Sequence, residues 1–472
     1  MNQSLPIQSK RSPAGPRGHW LVGNLPEFGR DLLGFLSRCA REHGTIVKFR
    51  LAGWTAYLLN DPEHIEYILL SHHRCFIKHR FFWRHATAIF GQGLLTSEGD
   101  FWHHQRRLAA PAFHHQRIAA YGQVMVRCAE QRLADWQEGE ILDIHHEMMR
   151  LTGAIVAQTL FHTEFSADME EMLHAFDLLT REIASRFRRP FKLPDWVPTP
   201  GNHRYRAGVR RLDRLVYRII QEHRHHPRDP ADLLSLLMRA RDEEGRGMSD
   251  KQLRDEVVTL FLAGYETTAI TLSWVWYALS QHRAIEARLL AELKQVLQGR
   301  SPTVDDLSRL PYTEMIIKES LRLYPPAYVI GREALQACTI GGYTIPAGAT
   351  LFISPWVLQR DPRYFEAPQE FRPERWAAGL EARLPRYVYL PFGGGPRICI
   401  GHRFAIMEAM LLLATIAQRF RFTWQSQYPA TPFPSITLRA QDRMWMKVVG
   451  HTAYSCSRYE GINLPLDARL FD

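Results

Sequence analysis

From Ser249 to about Leu279 runs a segment that limits the choice of fold more than any other in this 472-residue chain. Ser249 with Gln252 three residues on forms a capping box, and apolar residues then persist without a breaker. A helix of that length spans roughly 45–50 Å at about 1.5 Å per residue, so it must cross a whole domain. Val257 to Leu279 is apolar nearly all round, which a membrane span would also satisfy. Glu266 sits at its middle, where a carboxylate in lipid costs about 2.5–3.5 kcal/mol, so the expectation is a buried central helix.

That helix carries groups that packing alone would not choose. Ala263-Gly264-Tyr265-Glu266-Thr267-Thr268 places a glycine, an acid and two hydroxyls inside an apolar run. Gly264 would let a flat group approach the backbone, and Thr267 can return its hydroxyl to a carbonyl one turn back or present it to a ligand.

A second stretch, Phe392-Gly-Gly-Gly-Pro-Arg-Ile-Cys-Ile-Gly401, presents Cys399 on a loop of glycines and one proline. Apolar residues at helical spacing follow from His402, so Cys399 is expected at a helix N-terminus, where the dipole favours a thiolate. Such a thiolate serves as nucleophile, redox switch, zinc ligand or axial haem ligand. Zinc is disfavoured because no second cysteine lies within two to four residues.

The pattern Phe392-Gly393-x-Gly395-x-Arg397-x-Cys399-x-Gly401 resembles the haem-binding signature of the cytochrome P-450 family at every defining position. Ala263-Gly264-x-Glu266-Thr267 is similar to that family's oxygen-activation motif, Glu319-x-x-Arg322 to its buried ion pair, and Trp102-x-x-x-Arg106 to its propionate-holding pair. The four motifs stand in the family's order. The resemblance implies a mainly α fold with a minor β part, haem b lying between the long central helix and the cysteine-loop helix. It makes Cys399 the metal ligand, Arg397, Arg332, Trp102 and Arg106 propionate partners, and Ala263, Gly264, Phe392 and Gly401 cofactor contacts. Thr267 and Glu266 become the catalytic hydroxyl and acid, and Arg375 completes a structural triad with Glu319 and Arg322.

The activity so implied is monooxygenation of an apolar small molecule such as a fatty acid, terpenoid or carotenoid, with O2 as co-substrate. Pocket walls are expected from the Phe81–Phe90 loop, Ala263, Thr267 and Pro326–Val329. Electrons would come from NAD(P)H through a ferredoxin or flavodoxin with its reductase, because no flavin domain and no Gly-x-Gly-x-x-Gly between strand and helix are visible. A haem-thiolate isomerase or peroxygenase, or a non-enzymatic haem sensor, competes with this reading.

Composition adds boundaries. Six scattered cysteines point to a reducing compartment, and the polar, proline-containing start lacks the apolar core of a signal or anchor, so a cytoplasmic protein is expected. The formal charge of +10 fits an acidic protein partner, while no basic block with interleaved aromatics suggests nucleic acid. Residues 1–18 are read as a separate segment, 19–449 as one haem domain, and 450–472 as a tail of no assigned role. The pairs His103-His104, His114-His115 and His145-His146 lack zinc spacing and are read as mostly solvated. Short strands are expected at Thr45–Leu51, Thr55–Leu59 and Leu351–Ser354, with a Gly-Gly hairpin at Thr339–Ile345.

Overall fold

The computed structural model describes residues 12–161, 167–188, 197, 199–225, 232–242 and 244–451. The proline-rich stretch 190–200 lies almost wholly outside them, as do the first eleven residues and the tail from 452. The chain forms two compact units, one built from Met1–Arg84, Ala327–Pro368 and Leu384–Cys399, the other from His85–Pro326, Gln369–Arg383 and Ile400–Asp472.

The first unit is organised on a five-stranded sheet in the order Ile46–Leu51, Trp54–Leu59, Thr350–Ile353, Ile330–Ala334 and Phe76–Ile77. Its first two strands pair antiparallel across Gly53, with Leu51 opposite Trp54, and Trp54–Leu59 runs parallel to Thr350–Ile353. Tyr57, Leu58 and Leu59 form a continuous apolar run because both sheet faces are covered. Tyr57 and Leu59 enter one core with Leu351 and Ile353, whereas Ala56 and Leu58 enter a second with Val47, Phe49 and Phe35. Side chains alternate along a strand, so neighbouring positions feed different cores. The expected hairpin is present as Cys338–Ile340 paired with Tyr343–Ile345.

The second unit is helical, and the helix Asp250–Gln281 is its axis. Its 32 residues correspond to about 48 Å. The capping box forms as expected: Gln252 N donates to Ser249 Oγ at 3.3 Å and Ser249 N to Gln252 Oε1 at 2.7 Å. Around it pack Ile144–Phe161, Pro200–His225, Pro311–Leu323 and the helix that follows the cysteine loop, His402–Ala417. Ring contacts help fix them: Trp274 stacks on Tyr324 with centroids 4.1 Å apart, and Phe261 stacks on Phe176 at 5.5 Å. Pro200–His225 is two-faced, burying Tyr205, Leu212, Val216 and Ile220 along one side.

Two features differ from expectation. Residues 81–90, read as an aromatic loop, belong to the helix Arg80–Phe90. A three-stranded sheet of Ile141–Asp143, Trp445–Gly450 and Phe420–Trp424 was not foreseen, since its strands are short and drawn from distant parts of the chain. No helix of the described residues is long and apolar enough to cross a membrane.

Candidate active site

The cysteine loop belongs to the first unit. A tight turn at Gly395–Arg397 precedes Cys399, and the Cys399 amide donates to the Phe392 carbonyl at 2.9 Å, closing the loop on itself. Gly395 is required twice over. Its φ is +65°, and a Cβ there would stand 1.8 Å from the Leu69 carbonyl oxygen, so no other residue fits. The helix begins at His402, where the apolar run was read to start, with Gly401 as its N-cap and Cys399 two residues before the cap. Cys399 is exposed, while Phe392 and Arg397 are half-buried. Arg332 lies in the strand Ile330–Ala334 and its Nη1 donates to the Gly331 carbonyl at 2.9 Å.

In the second unit, the central helix is buried from Leu253 to Leu279 except at Ala263, Gly264 and Thr267. Those three lie within one turn and on one side, so the interruption is a single accessible patch. Thr267 Oγ1 donates to the Ala263 carbonyl at 2.8 Å, the first of the two outcomes its sequence allowed. Gly264 also has a packing role. Its missing Cβ would meet Val156 Cγ2 at 3.1 Å, and Thr152 Oγ1 donates across to the Tyr265 carbonyl at 2.9 Å. The glycine therefore lets the helix Ile144–Phe161 pack close, and Ala263 beside it is exposed.

Glu266 is 1 % exposed and points away from that patch into an ion pair. Its Oε1 accepts from Arg439 Nε at 2.8 Å, Arg439 Nη2 at 2.6 Å and Thr437 Oγ1 at 2.6 Å, while Oε2 is buried without a hydrogen-bond partner. Sequence spacing gave no sign of Arg439, 173 residues away. A second acid lies close by. Glu408, on the helix His402–Ala417, is fully buried with the Thr268 hydroxyl beside it, yet neither carboxyl oxygen makes a hydrogen bond of normal geometry. Burial pushes its carboxyl up to about 8, so it is protonated at neutral pH. Its presence in an apolar helix was the same signal that had drawn notice to Glu266.

Trp102 and Arg106 share a face of the helix Gly99–Ala109, Trp102 buried and the Arg106 guanidinium 5.6 Å from its ring centroid. Among the histidine pairs, His145 is not simply solvated: its Nδ1 lies 3.2 Å from Ser273 Oγ on the central helix. No group of metal-ligating residues is present among the described residues.

Glu319 and Arg322 are both fully buried on Pro311–Leu323. Arg322 Nε and Nη2 donate to the two carboxylate oxygens at 2.8 and 2.9 Å, and Arg375 Nε donates to Oε1 at 2.8 Å. Two further donors were not anticipated, the Arg372 amide at 2.9 Å and Trp376 Nε1 at 3.0 Å. Trp376 belongs to the same Phe-Arg-Pro-Glu-Arg-Trp run as Arg375, so an indole next to the third member of the triad was the available clue.

The first unit thus presents an accessible cysteine on a glycine-shaped loop, and the second a hydroxyl on an open turn of an otherwise buried helix. The cytochrome P450 family model matches residues 13–445. The chain is 37% identical over 450 residues to a cyclooctat-9-en-7-ol 5-monooxygenase of Streptomyces melanosporofaciens, covering 93% of this chain and 96% of that one. It is 34% identical to a pentalenene oxygenase of Streptomyces avermitilis, covering 92% and 96%. Its fold is similar to the crystal structure of a cytochrome P450DA haem domain at a TM-score of 0.84 with 27% identity, covering 93% of this chain and 97% of that one. The chain belongs to the cytochrome P450 family, and it is a P450 monooxygenase.

Proposed function

We propose that this monooxygenase hydroxylates a terpenoid, with Cys399 as the thiolate ligand of haem b. The observation that carries the site reading is the single accessible turn, Ala263 to Thr267, in an otherwise buried helix. Terpenoid is favoured over fatty acid or carotenoid by the relatives whose names give cyclooctat-9-en-7-ol and pentalenene.

Bound haem would supply the iron that activates dioxygen. Arg397, Arg332, Trp102 and Arg106 bring cationic and N–H donors suited to propionates. Phe392 and Gly401 flank the ligand loop, and Ala263 offers a flat methyl surface. Thr267 holds a proton at Oγ1 that is now committed to the Ala263 carbonyl, and releasing that bond frees the hydroxyl for its catalytic role. Glu266 keeps Oε1 in the ion pair with Arg439, which leaves Oε2 as the oxygen able to join the proton supply. Electrons would come from NAD(P)H through a separate ferredoxin or flavodoxin with its reductase, in the cytoplasm.

The test is a terpenoid panel screened by the spin-state shift of the haem spectrum, followed by turnover of the binders in isotopically labelled dioxygen. One labelled oxygen per product, with dependence on NAD(P)H and added redox proteins, is expected. Product formed only from added peroxide, or a rearranged product without label, would instead support the peroxygenase or isomerase reading.

A further inference from the structure

Two further cysteines of the first unit stand together. Cys75 immediately precedes the edge strand Phe76–Ile77, which pairs with Ile330–Ala334 so that Phe76 faces Ala334. Just beyond that pairing, the Leu335 amide donates to the Cys75 carbonyl at 2.9 Å. The chain then bends at residues 335–336 and resumes as the strand Cys338–Ile340. Cys338 is therefore only three residues from the one bonded to the Cys75 backbone. Both side chains are half-buried and pack against the same apolar cluster beside Tyr67 and Leu70. Neither is in a disulfide, and Gln336 Nε2 donates to Cys75 Sγ at 3.4 Å.

Electrostatics agree with this placement. The Cys338 thiol is pushed up by burial and then by Cys75, and the Tyr67 hydroxyl by burial and then by both thiols, so the two sulfurs share one neighbourhood. Cys39 and Cys128 are of another kind: buried in the core, their thiols are pushed up to about 12. Cys75 and Cys338 differ from those two in being only half-buried, and Cys75 carries a donor on its sulfur.

We propose that Cys75 and Cys338 form a reversible disulfide in response to peroxide, with Cys75 attacking and Cys338 resolving. Cys75 Sγ, deprotonated, attacks one peroxide oxygen: an S–O bond forms, the O–O bond breaks, and the departing hydroxide takes up a proton as water. Cys338 Sγ then attacks the resulting sulfenic sulfur: the S–S bond forms, the S–O bond breaks, and the oxygen leaves as a second water. Two thiols lose two electrons in all, and one hydrogen peroxide gains them. An oxygenase that releases peroxide when substrate fits poorly would be its own source of oxidant, which rests on the function proposed above. The bridge would join the edge strand to the Cys338–Ile345 hairpin beside the helical turn Tyr67–Ser71, whose Leu69 carbonyl lies close against Gly395.

The experiment exposes the reduced, haem-loaded full chain to hydrogen peroxide at doses that leave the Soret band intact, then maps thiols by alkylation and peptide mass spectrometry. Expected are loss of two alkylatable thiols, a Cys75–Cys338 linked peptide, and full reversal by dithiothreitol. Cys338→Ser should leave Cys75 as a sulfenic acid trapped by dimedone, and Cys75→Ser should leave Cys338 reduced. Both thiols remaining alkylatable throughout, or Cys75 linking to Cys456 or to a second molecule, would overturn the proposal. Since peroxide is added from outside, either result leaves the oxygenase reading untouched.

Discussion

Thr267 donates its only hydroxyl proton to the Ala263 carbonyl, a carbonyl that also belongs to the helix's own hydrogen-bond ladder. Thr267→Ala removes that extra bond and leaves the ladder whole, so stability should change by no more than about 1 kcal/mol. Product formed per NAD(P)H consumed should nevertheless fall several-fold, with peroxide making up the difference. An unaltered ratio would reduce Thr267 to a packing residue. Glu408 makes a prediction of opposite character, about stability and pH. Its carboxyl is raised from 4.5 to about 8 in the fold. Below the lower value both folded and unfolded chains hold the proton, and the group is neutral to stability. Between the two the unfolded chain releases its proton while the folded one keeps it, so stability drains away as pH rises, by several kcal/mol once pH passes the upper value. The groups around it, Thr268 on the central helix and Cys128 on His115–Leu133, offer no positive charge to offset this. Glu408→Gln removes the titration, so its melting temperature relative to the natural chain should climb between pH 5 and about 8. Parallel melting curves across that range would show that Glu408 ionises normally.

At the level of elements, the segment Pro311–Leu323 is held to the run Glu370–Trp376 by one carboxylate taking five hydrogen bonds. Glu319→Gln takes away the charge and leaves the fully buried Arg322 guanidinium without its counterion, a loss of about 3–5 kcal/mol. Trp376→Phe removes a single donor and should cost about 1 kcal/mol, and denaturant unfolding distinguishes the two. The acid and its nearest arginine were legible in the sequence because they are one helical turn apart, and the length and cap of the central helix were legible for the same reason: local spacing encodes them. Arg439 was not, because nothing local marks a partner that chain topology brings from 173 residues away to Glu266. The helix Arg80–Phe90 was missed for a related cause. Its aromatic residues have middling helix propensity, and its only punctuation, Gly91 and Gly93, reads equally as loop. Gly264 shows a subtler limit: its spacing placed it beside Thr267, but its packing against Val156 comes from a helix more than a hundred residues earlier in the chain.

For the molecule as a whole, a formal charge of +10 biases which carrier can deliver electrons. Reduction by an acidic ferredoxin or flavodoxin should slow as ionic strength rises, because screening shortens the reach of that attraction to about 8 Å at physiological salt. Equal rates with acidic and basic carriers, or turnover with NAD(P)H alone, would contradict a separate acidic donor. The proposed function depends on one bond, from Cys399 to the haem iron, since a thiolate ligand is what fits bound haem for oxygen activation. That bond is read most directly in the spectrum of the reduced, carbon monoxide-bound protein, recorded for the full chain and for Cys399→Ser. The natural chain should give the strongly red-shifted Soret band of a thiolate-ligated haem, and the variant should lose it. A red-shifted band that survives in Cys399→Ser, or its absence from the natural chain with haem fully loaded, would contradict the account.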